Sequence, residues 1–134
     1  MAFFDFEGKK VYYEVHGEQG EPLVILNGIM MSTNSWKPLM KNLTKNNIVI
    51  LVDFLDQGQS SRMTEGYTHA IQVRLLHALF ELLPYERYNI MGISYGGEVA
   101  VQYAVEHPEY VRRLVLANTC ARTSDWLRKI GAGW

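Results

Sequence analysis

Asn89-Ile90-Met91-Gly92-Ile93-Ser94-Tyr95-Gly96-Gly97 is the stretch that decides how this chain is read. Tyr88 to Ile93 has the apolar character of a strand, it runs into Gly-x-Ser-x-Gly, and an apolar helical segment follows at once. That order puts Ser94 on a sharp strand-to-helix turn with its hydroxyl pushed outward. Gly92 and Gly96, two residues to either side, suit a backbone that folds tightly on itself and leaves no room for larger side chains. A helix starting at the serine adds unpaired N–H groups and a positive dipole end, which favour a developing oxyanion. By composition alone, Gly-x-Ser-x-Gly would arise in roughly 4% of chains of this size. The flanking strand and helix therefore carry the argument.

Working outward, strands and helices alternate. Phe4-Asp5-Phe6 and Val11-Tyr12-Tyr13-Glu14-Val15 alternate around Glu7-Gly8, which predicts an opening hairpin. Leu23–Leu26 and Ile48–Val52 are short apolar runs of the kind buried on both faces of a sheet. Between them, Asn34 or Ser35 offers a cap for a helix carrying Trp36, Leu39, Met40 and Leu43. Thr68 caps a second helix with Ile71, Leu75, Leu79, Leu82 and Leu83 on one face, closed by Pro84. Val99 to Val105 is apolar nearly all round, which predicts a helix packed on the sheet over much of its circumference. Val111–Ala117 reads as one more strand, and Thr123, Ser124 and Asp125 as a cap for a last short helix. The expected fold class is α/β, a mostly parallel open sheet of about six strands with helices on both faces.

Composition bounds the function classes. A chain of 134 residues, 48% hydrophobic and 20% charged, fits a single globular domain spanning 1–134, and no repeat or linker divides it. A net charge of −1 gives no reason to expect nucleic acid or an anionic membrane as partner. Met1-Ala2-Phe3-Phe4-Asp5-Phe6-Glu7 lacks the basic region and apolar run of a secretory signal, and no apolar stretch has the length to span a bilayer. A single cysteine, Cys120, leaves no internal disulfide and suits a reducing cytoplasm. His16, His69 and His77 precede the serine in a hairpin end and on the polar side of a helix, where solvated side chains are the expectation. No Cys/His/Asp cluster has ligand spacing, so neither metal nor cofactor is expected.

The strand, elbow and helix around Ser94 resemble the nucleophile elbow of the α/β-hydrolase family, and the resemblance extends over nearly the whole chain. It implies a serine hydrolase of ester, thioester or amide substrates, with Ser94 as nucleophile. Asn27-Gly28-Ile29-Met30 stands where these hydrolases often carry His-Gly, so the resemblance assigns the oxyanion hole to the backbone N–H groups of Ile29 and Tyr95. Asn27 in place of the common histidine leaves those amides intact and removes one supporting side chain. Asp53-Phe54-Leu55-Asp56-Gln57-Gly58-Gln59-Ser60 is similar to the family's Asp-x-x-Gly-x-Gly-x-Ser loop, with Asp56 where a glycine is usual. That loop is structural in the family, so Asp53 and Ser60 receive no catalytic role. Met30, Met31, Trp36 and Tyr95 are candidates for an apolar acyl pocket, and the first three are equally candidates for the core.

The family places its triad in the order nucleophile, acid, histidine. After Ser94 the chain has one histidine, His107, in Glu106-His107-Pro108, where the helix that starts at the serine must stop. Some three turns of helix, or about 15 Å, separate the two, so His107 is not the base. Asn118 and Thr119, after the Val111–Ala117 strand, are not carboxylates, and Asp125 is read as a cap. The expectation is thus an α/β-hydrolase-like fold truncated after about six strands, with residues 123–134 beginning a cap segment. The substrate would be a small molecule, and the isolated chain a poor catalyst. The alternative is a non-catalytic scaffold that self-associates through the exposed edge strand Val111–Ala117.

Overall fold

The structure, a computed structural model, describes residues 2–119. Cys120, the capping residues Thr123 to Asp125 and the segment 123–134 lie outside the described residues. The described residues form one six-stranded mixed sheet in the order β1-β2-β4-β3-β5-β6. The strands are β1 (Ala2–Phe6), β2 (Lys9–His16), β3 (Glu21–Leu26), β4 (Asn47–Val52), β5 (Tyr88–Ile93) and β6 (Val111–Ala117). β1, β2 and β4 pair antiparallel, whereas β4, β3, β5 and β6 run parallel. The hairpin turns at Glu7 and Gly8, both at positive φ, as a two-residue hairpin requires.

Alternation along the central strands feeds two cores. Val24 and Leu26 of β3, with Ile50 and Val52 of β4, face α2 (His69–Leu82) and α3 (Tyr95–Glu106). Ile25, Val49 and Leu51 point the other way, onto Trp36, Met40 and Leu43. Each of the β3 and β4 side chains, fully buried, contributes about 1.5–3 kcal/mol. The sheet is thereby held between helical layers, which fixes where its C-terminal ends open.

The helices show where local chemistry beat periodicity. Thr68 caps α2 as expected, its hydroxyl accepting from the Ala70 amide. The segment after β3 begins one turn earlier than Asn34 or Ser35. Ser32 caps it, in a reciprocal arrangement with the Ser35 hydroxyl. It runs as a 3-10 helix over Thr33–Leu39 and becomes α-helical only at α1 (Met40–Leu43), because Pro38 has no N–H to donate. In α3 the buried positions are Gly96, Gly97, Val99, Ala100 and Tyr103, while Val105 is 76% exposed. The helix therefore packs through one stripe and not around most of its circumference. None of the described helices is long and apolar enough to cross a membrane.

β3 leads by crossover to β4 on one side, and β5 returns on the other side of β3. The order of the chain thus switches between β3 and β5, and a crevice opens beyond their carboxyl ends. β6 is an outer strand of the described sheet, with Val115 53% and Leu116 43% exposed. Its Arg112 and Arg113 pair with Glu21 at 3.2 and 3.5 Å.

Candidate active site

Ser94 joins β5 to α3 at φ 50°, ψ −116°, a conformation that L-residues adopt only when the surroundings enforce it. The surroundings do so from several sides. The Ser94 amide donates to the Ala117 carbonyl at 3.0 Å, and the Ser94 carbonyl accepts from the Gly97 amide at 2.9 Å. The Thr119 hydroxyl donates to the same carbonyl at 2.8 Å. A Cβ at Gly96 would lie 2.3 Å from the Leu26 carbonyl oxygen, and one at Gly92 would lie 2.5 Å from that of Gly96. Only glycine lets β3, β5 and α3 approach this closely. The outcome is an exposed serine at the N-terminus of a 12-residue helix. Among the described residues no side chain is hydrogen-bonded to its hydroxyl.

Across the switch point, β3 ends at Leu26 and the chain arches outward. Gly28 offers its carbonyl to the Met31 amide and to the Gln57 side-chain amide, both at 3.2 Å. Ile29 and Met30 are lifted to the rim, 70% and 98% exposed, with Met30 at φ 64°. Neither the Ile29 amide nor the Tyr95 amide donates to a backbone carbonyl of a described turn, loop or cap. Asn27 does more than fill the place of a missing histidine. Buried beneath the arch, it donates to the Val52 carbonyl at 2.9 Å and to Gln57 Oε1 at 3.1 Å. Its own Oδ1 accepts from the Trp36 indole at 2.7 Å.

The loop after β4 is pinned from within. Asp53, fully buried, accepts from the Thr33 amide at 2.8 Å and the Gln59 amide at 2.9 Å. Ser60 donates to the Asp53 carbonyl at 2.6 Å and accepts from the Tyr12 amide at 2.9 Å. Both residues are structural here. Asp56 sits at φ 70°, which is why a glycine fits this position. Its carboxylate accepts from the Tyr67 hydroxyl and, at 2.8 Å, from the Met63 amide. The Tyr67 and Met63 hydrogen bonds hold the Asp56 carboxyl below the usual range. Burial and the Asp56 partner push the Tyr67 phenol up.

Ile29, Met30 and Tyr95 line a cleft of about 390 Å³ together with Asp56, Tyr67 and His69. The sequence-derived oxyanion residues and two pocket candidates, Met30 and Tyr95, are thus brought together, and Ser94 stands exposed next to Tyr95 without lining the cleft. Met31 and Trp36 are not in it. They pack on the opposite face of the sheet against Ile25, Val49 and Leu51, and their alternative assignment as core residues describes them. Burial raises the Tyr95 phenol, so that side chain is a neutral wall.

The histidines are more engaged than a solvated reading implies. His69 lies tilted on the Tyr95 ring at 4.8 Å, with its Nε2 2.8 Å from Glu98. His16 contacts the buried Glu14 at 2.6 Å. His77 stacks on His107 at 4.0 Å beside Tyr103, at the end of α3 remote from Ser94. The sequence assigns His69 only a solvated place and Tyr67 no role. The signal was positional: α2 follows β4, so its N-terminus lies at the carboxyl edge of the sheet, where the crevice opens. Among the described residues no group of three or more His, Cys, Asp or Glu could hold a metal ion.

Residues 21–134 match the family model described as the alpha/beta hydrolase fold. A proline iminopeptidase of Lactobacillus helveticus is 32% identical over 133 residues, covering 93% of this chain and 45% of the relative. An alpha/beta hydrolase enzyme from a Medee basin deep-sea metagenome library is 46% identical with a TM-score of 0.93, over 99% of this chain and 50% of that one. A marine microorganism esterase is 27% identical with a TM-score of 0.79, over 90% of this chain and 48% of that one. The chain spans about half the length of the relatives it matches.

Proposed function

Because the chain belongs to the α/β-hydrolase fold family, we propose that it is the nucleophile-bearing half of a serine hydrolase of ester, thioester or amide bonds. The observation that carries this reading is Ser94, exposed and held at φ 50°, ψ −116° at the start of α3. A residue kept in so sparse a conformation by carbonyl, amide and hydroxyl partners is costly to fold, and functional sites are where such cost persists. The relatives named above, an iminopeptidase and an esterase among them, support the reaction class.

In the proposed reaction Ser94 Oγ attacks the substrate carbonyl carbon, and the C–O double bond opens to an oxyanion. The Ile29 and Tyr95 amides donate to that oxygen, aided by the dipole of α3. The hydroxyl proton passes to a base, and collapse of the intermediate expels the leaving group and leaves an acyl-serine for water to hydrolyse. Among the described residues no histidine is bonded to Ser94, and His107 lies at the far end of α3. The base and its acid partner therefore come from polypeptide beyond these residues, and the isolated chain reacts slowly.

Intact-mass measurement after exposure to a fluorophosphonate tests this. A slow adduct that disappears in Ser94→Ala, and that forms faster when imidazole is added as an external base, is the expected result. Labelling unchanged in Ser94→Ala, or no labelling of folded protein even with imidazole, would overturn it.

A further inference from the structure

The charge of the cleft is one-sided. Among the described residues, Asp56 supplies the single carboxylate that lines it, and no lysine or arginine does. Arg62 is not a lining residue and its guanidinium donates to the Ser60 and Gly58 carbonyls at 3.4 and 3.1 Å, although its charge, after the Tyr67 and Met63 hydrogen bonds, also helps hold the Asp56 carboxyl low. A proton on His69 would be offset by the Glu98 carboxylate 2.8 Å away. Tyr67 and Tyr95 also line the cleft, Tyr67 with its hydroxyl on Asp56 and Tyr95 with its ring against His69, and Met30 lies at the rim.

A carboxylate in a cleft lined otherwise by tyrosine and apolar side chains is a combination that attracts organic cations. The carboxylate favours positive charge, and a bulky ammonium group is weakly hydrated enough to leave water for the aromatic and apolar side chains beside it. A carboxylate ligand would meet only repulsion there. Asp56 is also poised to act in this way, since its two bonds to Met63 and Tyr67 leave further lone pairs on each oxygen.

We propose that this cleft recognises an organic ammonium group and rejects carboxylates, with Asp56 as counter-charge and Tyr67 and Tyr95 as its aromatic walls. As a statement of substrate class, an ester, thioester or amide bearing a cationic substituent, it rests on the hydrolase reading. The charge preference itself does not need Ser94 to react.

The test is binding to the 134-residue protein and to Ser94→Ala, followed by amide chemical shifts at pH 8, where an ordinary imidazole is neutral. The probes are benzyltrimethylammonium, neutral benzyl alcohol and phenylacetate. The ammonium should bind at least about fivefold more tightly than the alcohol, shifting Asp56, Tyr67, His69 and Tyr95, with phenylacetate weakest. Asp56→Asn, which keeps an acceptor and tolerates positive φ, should erase the difference between ammonium and alcohol while leaving alcohol binding intact. A purely structural Asp56 would instead weaken all probes alike. Should Asp56→Asn not fold, salt dependence in the unmodified protein decides: ammonium binding must weaken as salt is added, and alcohol binding must not. Equal binding of the three probes, or a preference unchanged in Asp56→Asn, overturns the inference. Fluorophosphonate labelling of Ser94 is read separately, so failure of either idea is visible without the other.

Discussion

The Thr119 hydroxyl donates to the Ser94 carbonyl at 2.8 Å, tying the segment after β6 to the elbow between β5 and α3. With the Ser94 amide bonded to the Ala117 carbonyl, both backbone polar groups of the serine are held in part by residues some two dozen positions later. The elbow is therefore a tertiary construction as well as a local one. Thr119→Val keeps the shape and removes the donor. It should cost about 1 kcal/mol and lower the thermal midpoint by about 3 °C, whereas Thr119→Ser should be near neutral. Calorimetry of the three proteins checks this.

Gly92 and Gly96 meet backbone, which has no rotamer to turn away. Gly96→Ala would bring a methyl to 2.3 Å from the Leu26 carbonyl oxygen, and Gly92→Ala one to 2.7 Å from the Gly97 Cα. Each should cost about 3 kcal/mol or more, enough to leave little folded protein at 37 °C. Gly66 has open space around it, and Gly66→Ala should change stability by no more than about 0.5 kcal/mol. Denaturant melts separate the two outcomes.

Glu14 gives the fold an acid-sensitive point. Burial alone would raise its carboxyl, but hydrogen bonds from His16, Tyr12 and Thr33 outweigh it and hold it below the ordinary value. A carboxyl lowered by folding stabilises the native state above its unfolded value, and that contribution disappears as pH falls through the folded one. Thermal midpoints should thus fall more steeply below about pH 4.5 in the unmodified protein than in Glu14→Gln. Parallel curves from pH 7 to pH 3 would show that Glu14 is not the linked group.

Asn27 has its side chain fully committed beneath the Ile29–Met30 arch, to Val52, Gln57 and Trp36. Asn27→Ala would leave the buried Trp36 indole N–H and the Val52 carbonyl without their partner. The expected loss is about 2 kcal/mol, with a shift in tryptophan emission as water reaches the ring. Trp36→Phe leaves the Asn27 Oδ1 without its donor but keeps the Asn27 bonds to Val52 and Gln57, and should cost less than Asn27→Ala on the same scale. Unfolding followed by fluorescence and circular dichroism tests the order.

Much of this was legible in the sequence, and what was not has physical reasons. The runs Leu23–Leu26, Ile48–Val52 and Tyr88–Ile93 gave away the central strands, because buried parallel strands need continuous apolar sequence. The elbow was legible because its glycines and serine are each required by geometry at fixed spacing. Trp36 and Met31 resisted assignment because an apolar residue after a strand suits either face, and only the packing of Ile25, Val49 and Leu51 decides which. Asp56, Tyr67 and His69 are distant in sequence from Ser94. A loop fixed by Asp53 and a helix capped by Thr68 gather them around one cleft.

Ser94 itself should be a stability defect. Its φ of 50° with ψ of −116° costs a residue with a Cβ on the order of 1–3 kcal/mol, whereas glycine visits that region at little expense. Ser94→Gly should therefore raise the unfolding free energy by about 1 kcal/mol despite the freedom glycine adds to the unfolded chain. Ser94→Ala retains the Cβ and should gain nothing. Stability that rises in the glycine variant while fluorophosphonate labelling is lost in both would identify strain retained for chemistry. Equal stabilities in all three proteins would mean that the elbow's partners hold the serine without measurable strain.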